Sequence, residues 1–311
     1  MTISVSIVWV MPAISGASCR GLAAPDGTGA SRAVWPQAME ARVLDDGTMS
    51  YRVLPAEAAP AAAVLFAHGF AESAMRHAPT LEAFARAGIA AYAYDLRGHG
   101  RSPGSRGFIR RFGDLLDASA LARTWVAADS PGTPLFLMGY SLGGLVSVRS
   151  AERDPDGLAG VVLVAPGFEI AGDLPAIVRR LGVVVGDVLP HVPVAQLRLK
   201  HLRPDEPRPA SLLEVLLPRD PLIPARTAAE LIRASDAALA GARDWSIPTL
   251  VVHGDLDRVV PLACSSRFVE RASHAETTLD VIHGGHHDLL HGRDADAVRA
   301  AVLAWIQAHA Q

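Results

Sequence analysis

The sequence is poor in cysteine: only Cys19 and Cys264 occur, and no C-x-x-C pair. That excludes a disulfide framework and the paired-thiol spacing of zinc ribbons and thiol-exchange proteins. Blocks of like charge are also missing. The 29 Lys and Arg residues nearly balance 32 Asp and Glu, leaving a formal charge of −3, so the electrostatic footprint of a nucleic-acid binder is absent. No apolar run reaches the roughly 18 residues of a membrane-spanning helix. What is present is core material. Half of the 311 residues are hydrophobic and 20% are charged, which excludes overall disorder. At about 150 residues per domain, one or two domains are expected.

The first 38 residues stand apart. Residues 3–14 form a short apolar stretch followed by small residues, like the central part of a secretory signal. No Lys or Arg precedes Arg20, so the usual basic start is missing. Ser18-Cys19 admits a lipoprotein anchor at Cys19, although Gly16 stands where such signals carry a branched apolar residue. Residues 20–38 read as a linker rich in Gly, Ala, Ser and Pro. Residues 1–38 are therefore expected to be a leader or tail without part in the chemistry, and 39–311 the main domain.

From residue 40 the pattern alternates between strands and helices. Segments 40–44 and 48–54 flank Asp46-Gly47, the residue pair of a tight hairpin. Continuous apolar runs at 61–69, 89–95, 134–139, 160–166, 247–254 and 277–282 read as buried strands. Helical patterns lie between several of them, at 81–85, 115–128 and 142–153, with a last helix at 294–310. Buried strands separated by helices predict an α/β fold: a mostly parallel eight-stranded sheet with helices on both faces and an antiparallel hairpin at one edge. Ligands of such sheets bind beyond the strands' C-terminal ends. Between about 168 and 242 the pattern breaks, and eight of the 22 prolines fall between Pro190 and Pro224. Proline blocks central strands and helix interiors. The segment is expected to be an inserted cap of short helices and turns, with apolar pieces at 177–189 and 211–217.

The chemistry concentrates at strand ends. Gly139-Tyr140-Ser141-Leu142-Gly143 is G-x-S-x-G between a strand and a helix. That context puts a serine on a sharp, strained turn at a helix N-terminus, which favours developing negative charge. Serine needs a base, and the base an orienting acid. With the chain order Ser, acid, His, the strand before 254 offers Asp255 and Asp257, and VIHGGHHDLL offers His283, His286, His287 and His291. Asp257 is selected as acid, with Asp255 a turn former, and His287 as base, with His286 the runner-up. The same histidines permit a metal site with Asp288, but a Gly-Gly loop lacks helical ligand spacing and neither H-E-x-x-H nor a partner Cys occurs. No metal or cofactor is expected. Two backbone N–H groups should meet the oxyanion: that of Leu142, just after the serine, and that of Phe70 in His68-Gly69-Phe70-Ala71-Glu72. His68 reads as structural.

These stretches together resemble the monoacylglycerol lipase and lysophospholipase branch of the α/β-hydrolases. HGFAESAMRH (68–77) is similar to that family's His-Gly-x-x-Glu-x-x-x-Arg stretch, and YDLRGHGRSPGSRGFI (94–109) to its Asp-x-Arg-Gly-His-Gly segment. GYSLGG, RDPLI (219–223), GDLDRVVP and GGHHDLL extend the likeness over roughly residues 40–308. The resemblance implies an α/β-hydrolase fold, a Ser141–His287–Asp257 triad with Phe70 and Leu142 as oxyanion donors, and an acyl ester substrate, monoacylglycerol or lysophospholipid. It treats Asp95 and Arg97 as loop anchors, and Glu72 and Arg76 as ties of the oxyanion loop. Transacylation by the same triad, or ligand binding without turnover, are the alternatives. A cytoplasmic or membrane-associated enzyme is expected, touching a membrane surface transiently through the cap.

Overall fold

The computed structural model describes residues 39–56, 59–168, 175–197, 201 and 221–310. The leader with Cys19, the apolar piece at 211–217 and the start of RDPLI lie outside the described residues.

The chain opens with β1 (Glu40–Val43) and β2 (Met49–Val53), paired antiparallel. Gly47 turns between them at φ 85°, and Asp46 Oδ1 accepts the Thr48 N–H at 2.9 Å. Then come β3 (Ala62–Ala67), α1 (Ala78–Arg86), β4 (Ile89–Tyr94), α2 (Phe112–Asp129), β5 (Leu135–Tyr140), α3 (Leu142–Arg153) and β6 (Leu158–Val164). After α4 (Ala176–Val188), β7 (Pro193–Gln196), β8 (Leu222–Pro224) and α5 (Ala225–Gly241), the chain ends with β9 (Thr249–Gly254), α6 (Leu262–Arg271), β10 (Thr277–Ile282) and α7 (Ala295–His309). The eight-stranded sheet has the order β1-β2-β4-β3-β5-β6-β9-β10. Only the β1–β2 and β2–β4 pairs are antiparallel. The fold is thus the expected α/β-hydrolase sheet, with six strands where the apolar runs lie and two in the edge hairpin.

Alternate side chains of each central strand feed two cores. Ala63, Leu65 and Ala67 of β3 pack with Leu115 of α2, Leu145 of α3, Leu231 of α5 and Phe268 of α6. Ala62, Val64 and Phe66 point the other way, to Leu81 and Phe84 of α1 and to Val298, Val302 and Ile306 of α7. The period of two along a strand thus divides the molecule into three layers.

Two helices depart from the sequence reading. The interval given to the cap contains α5, a 17-residue helix whose Leu231, Ala234, Ala238 and Leu239 are buried in the core that covers one sheet face. Helix α6 lies where the sequence pattern predicts no helix. Both start directly after a proline in extended conformation, Pro224 and Pro261. Proline at a helix entrance fixes φ without removing an intrahelical bond, so residues that read as breakers act as starters. Between them, β7 and β8 pair antiparallel as a separate two-stranded sheet.

Candidate active site

The turn from β5 into α3 carries Ser141 at φ 51°, ψ −115°, a region costly for a residue with a side chain. Neighbouring glycines make the turn feasible. A side chain on Gly139 would collide with the Gly143 carbonyl, and one on Gly143 with the carbonyl of Ala67. The ends of β3 and β5 therefore meet the first turn of α3 in van der Waals contact. Leu142 opens α3, so its N–H has no intrahelical acceptor.

His287 and Asp257 converge on this serine from two later loops. The Ser141 hydroxyl donates to His287 Nε2 at 2.9 Å, and His287 Nδ1–H donates to Asp257 Oδ2 at 2.6 Å. The side chains of His287 and Asp257 are 1% and 0% exposed. Asp257 Oδ1 accepts the N–H groups of Val259 (2.7 Å) and Val260 (2.9 Å). Burial opposes its charge, but His287 and the hydrogen bond from His253 outweigh this and hold the carboxyl below the usual range. The rival side chains point elsewhere. Asp255 accepts from Gly284 N–H (2.7 Å) and His283 Nδ1–H (3.0 Å) at the surface. His286 turns Nδ1 to the Leu256 carbonyl at 3.3 Å.

The loop after β3 is held from behind. Glu72 Oε1 accepts Gly69 N–H at 2.6 Å and His77 Nε2–H at 2.8 Å, and Oε2 accepts from Arg76 at 2.5 Å. Arg76 also donates to Asp288, the neighbour of His287. His291 completes the link, its ring nitrogens facing Asp288 Oδ1 (2.8 Å) and the Arg76 carbonyl (2.9 Å). Burial works against a charge on Glu72, but His77 and Arg76 outweigh it and hold its carboxyl well below the usual range. The loop carrying Phe70 and the loop carrying His287 are thereby one hydrogen-bonded unit. Arg76→Met leaves two carboxylates buried without their cation and should cost about 3–5 kcal/mol. Urea denaturation measures this, and an unchanged midpoint would contradict it.

His68 is structural as expected: its Nδ1–H donates to the Gly69 carbonyl (2.7 Å) and its Nε2 accepts Leu96 N–H (3.0 Å). Asp95 anchors its loop by accepting Ala74 N–H and Arg101 N–H, both at 2.8 Å, and Tyr51 O–H at 3.1 Å. Arg97 does not share the anchoring role assigned to it. It is exposed, and the guanidinium that ties this turn belongs to Arg106, which donates to the carbonyls of Gly100 (2.7 Å) and Gly104 (3.1 Å). Sequence reasoning weighs Asp288 only as a metal candidate and misses its tie to Arg76, whose signal is its place beside the chosen base, and it misses His253 beside Asp257. Among the described residues, no cluster of His, Cys, Asp and Glu is arranged to hold a metal ion.

Such a fold, with a serine at the elbow between β5 and α3, defines a serine hydrolase of the α/β-hydrolase class. Residues 58–294 match the family described as serine aminopeptidase, S33, and the chain belongs to that family. Its relatives include a monoacylglycerol lipase of Mycolicibacterium smegmatis, 29% identical over 83% of this chain and 92% of the relative. The monoglyceride lipase of Rattus norvegicus is 25% identical over 74% and 76% of the two chains. Among solved structures, the Paleococcus ferrophilus monoacylglycerol lipase superposes with a TM-score of 0.70 at 25% identity, covering 84% of this chain and 99% of that one. No helix among the described residues is long and apolar enough to cross a membrane.

Proposed function

We propose that the protein hydrolyses carboxylic esters of single acyl chains, monoacylglycerol or lysophospholipid, through an acyl-enzyme on Ser141. One observation carries the reading: the hydrogen-bond chain from Ser141 through His287 to Asp257, at 2.9 and 2.6 Å. In the forward step the Ser141 oxygen attacks the ester carbonyl while His287 Nε2 takes its proton. Asp257 holds the Nδ1–H tautomer and stabilises the imidazolium. The oxyanion is met by the N–H groups of Leu142 and Phe70. The imidazolium returns its proton to the leaving alcohol. Water, deprotonated by the same nitrogen, then releases the fatty acid.

The substrate class rests on the relatives' names and on the segment between β6 and α5. That segment leaves the sheet beside the nucleophile, where Gly167 N–H donates to the Ser141 carbonyl at 2.8 Å. Its helix α4 exposes Ile177, Leu181 and Val188 at 62%, 57% and 69%. We read residues of the 168–242 interval outside α5 as an apolar cap for the acyl chain, and the same face as the region that touches a membrane surface. Each methylene buried there contributes about 0.8 kcal/mol. Transacylation shares every step up to the acyl-enzyme and differs only in the accepting alcohol.

The test is a profile of p-nitrophenyl esters of graded length, then monoacylglycerols and lysophospholipids, with an aminoacyl p-nitroanilide as control. We expect kcat/KM to rise with chain length by about two- to fourfold per methylene until the site is filled, and monoacylglycerol to be cleaved. Turnover of the anilide without any ester turnover would overturn the proposal. Added glycerol separates hydrolysis from transfer by the products formed.

A further inference from the structure

Asp257 has a second imidazole against it. His253, at the C-terminal end of β9, is fully buried. Its Nε2 lies 2.9 Å from the Val260 carbonyl and 3.1 Å from Asp257 Oδ2. Two acceptors face one nitrogen, so Nε2 carries the hydrogen. Nδ1 lies 2.7 Å from Ser265 Oγ on α6, whose hydroxyl can donate to it. Every polar atom of the ring is thus assigned a role, with a neutral tautomer that fits all three partners.

We propose that His253 is a positioning residue of the catalytic acid. Its Nε2–H aims Asp257 Oδ2 at His287, and Ser265 fixes the tautomer that makes this possible. The inference rests on the triad reading above and extends it to five groups in line: Ser141, His287, Asp257, His253 and Ser265.

The geometry explains why such a device is needed. Asp257 Oδ1 is held by two backbone N–H groups of its own turn, at 2.7 and 2.9 Å. Those bonds set the plane of the carboxylate, and Oδ2 faces His287 Nδ1 at 2.6 Å. The His253 Nε2–H faces the same Oδ2 and adds a second donor to it. It also draws on the charge that Oδ2 presents to His287. Without it, Asp257 presents more charge to the His287 imidazolium and stabilises it, so His287 protonates at higher pH. Other groups bear on the pair. Tyr140 of β5 lies with its ring centroid 5.3 Å from that of His287, and around Tyr140 are Asp288, Glu72 and Arg76. The polar partners of His253 are Ser265, Val260 and Asp257, so these groups are not among them.

The experiment compares His253→Gln, which retains a donor of similar reach, with His253→Met, which has none, and with the milder Ser265→Ala. Ester kcat, KM and the acidic limb of the kcat/KM profile are read for each, with thermal unfolding to establish that the variant is folded. For His253→Met we expect kcat to fall about tenfold with KM within about twofold, and the acidic limb to move up by about 0.5 pH unit. His253→Gln should recover most of the kcat and return the limb. Ser265→Ala should move the limb in the same direction by less, and it carries the test should His253→Met not fold.

A merely structural histidine predicts lost stability with the limb unmoved. The proposal is overturned if the folded variants keep the wild-type limb and kcat, or if they lose activity with no movement of the limb. The underlying triad reading fails differently, through full ester turnover by Ser141→Ala.

Discussion

Replacing Ser141 by alanine lowers ester turnover by a factor on the order of 10⁴–10⁶, and leaves the fold and substrate binding nearly unchanged. The geometry supports this size. The hydroxyl is the one atom of the site aligned with a base, 2.9 Å from His287 Nε2, and sits on a backbone at φ 51° that the surrounding glycines make possible. Alanine occupies the same volume without the oxygen and relaxes none of those contacts. What remains is water attack assisted by His287 and the two backbone donors, which accounts for residual activity above the uncatalysed rate. Steady-state kinetics on the best ester, with unfolding by urea as control, measures both parts. Wild-type-like turnover by this variant would remove Ser141 from the mechanism.

The second large effect belongs to Asp257. Asp257→Asn should lower kcat by about 10⁴, whereas Asp255→Asn should keep most activity. The reason lies in the donors around the two carboxylates. Asp257 Oδ1 takes two backbone N–H groups, of Val259 and Val260, at 2.7 and 2.9 Å. An asparagine must put its carbonyl oxygen there, so its NH₂ faces His287 Nδ1 and the His253 N–H. His287 must then accept at Nδ1 and carry its hydrogen on Nε2, the nitrogen that has to receive the serine proton. The wrong tautomer, not lost volume, stops the reaction. The same amide placement sets donor against donor at His253 Nε2, 3.1 Å from Oδ2. Asp255 binds Gly284 N–H and the 89%-exposed His283 side chain, and its amide can still accept the former. Equal losses in the two variants would contradict the assignment of the acid.

Much of this arrangement is legible in the chain because each element announces itself locally. Six of the eight strands are the continuous apolar runs, since both faces of the central strands are covered, and the other two are the hairpin around Asp46-Gly47. The elbow is legible because only glycine tolerates the approach of β3 and β5 to α3. Asp257 and His287, the proposed acid and base, are legible because both follow strands and lie in short loops at the same sheet edge. Three things were not. Helices α5 and α6 begin at Pro224 and Pro261, and a proline marks an end or a beginning equally until the neighbouring strand is known. Arg106, rather than Arg97, ties the Gly-rich turn, because a choice between two arginines nine residues apart depends on how the loop folds back. The link from Arg76 to Asp288 spans 212 residues: Arg76 reads as a tie of its own loop and Asp288 as a metal candidate, and nothing pairs them until the sheet brings them together. Local pattern specifies elements, whereas partners across the sheet depend on strand order.

The most direct test of the central claim is a rapid-mixing experiment with a p-nitrophenyl acyl ester, quenched in acid and followed by peptide mapping of the protein by mass spectrometry. The account predicts an acyl group on the peptide containing Ser141, formed with one equivalent of nitrophenol per enzyme, and absent from Ser141→Ala. Turnover of the ester with the acyl group on another residue, or turnover that survives in Ser141→Ala, would contradict it.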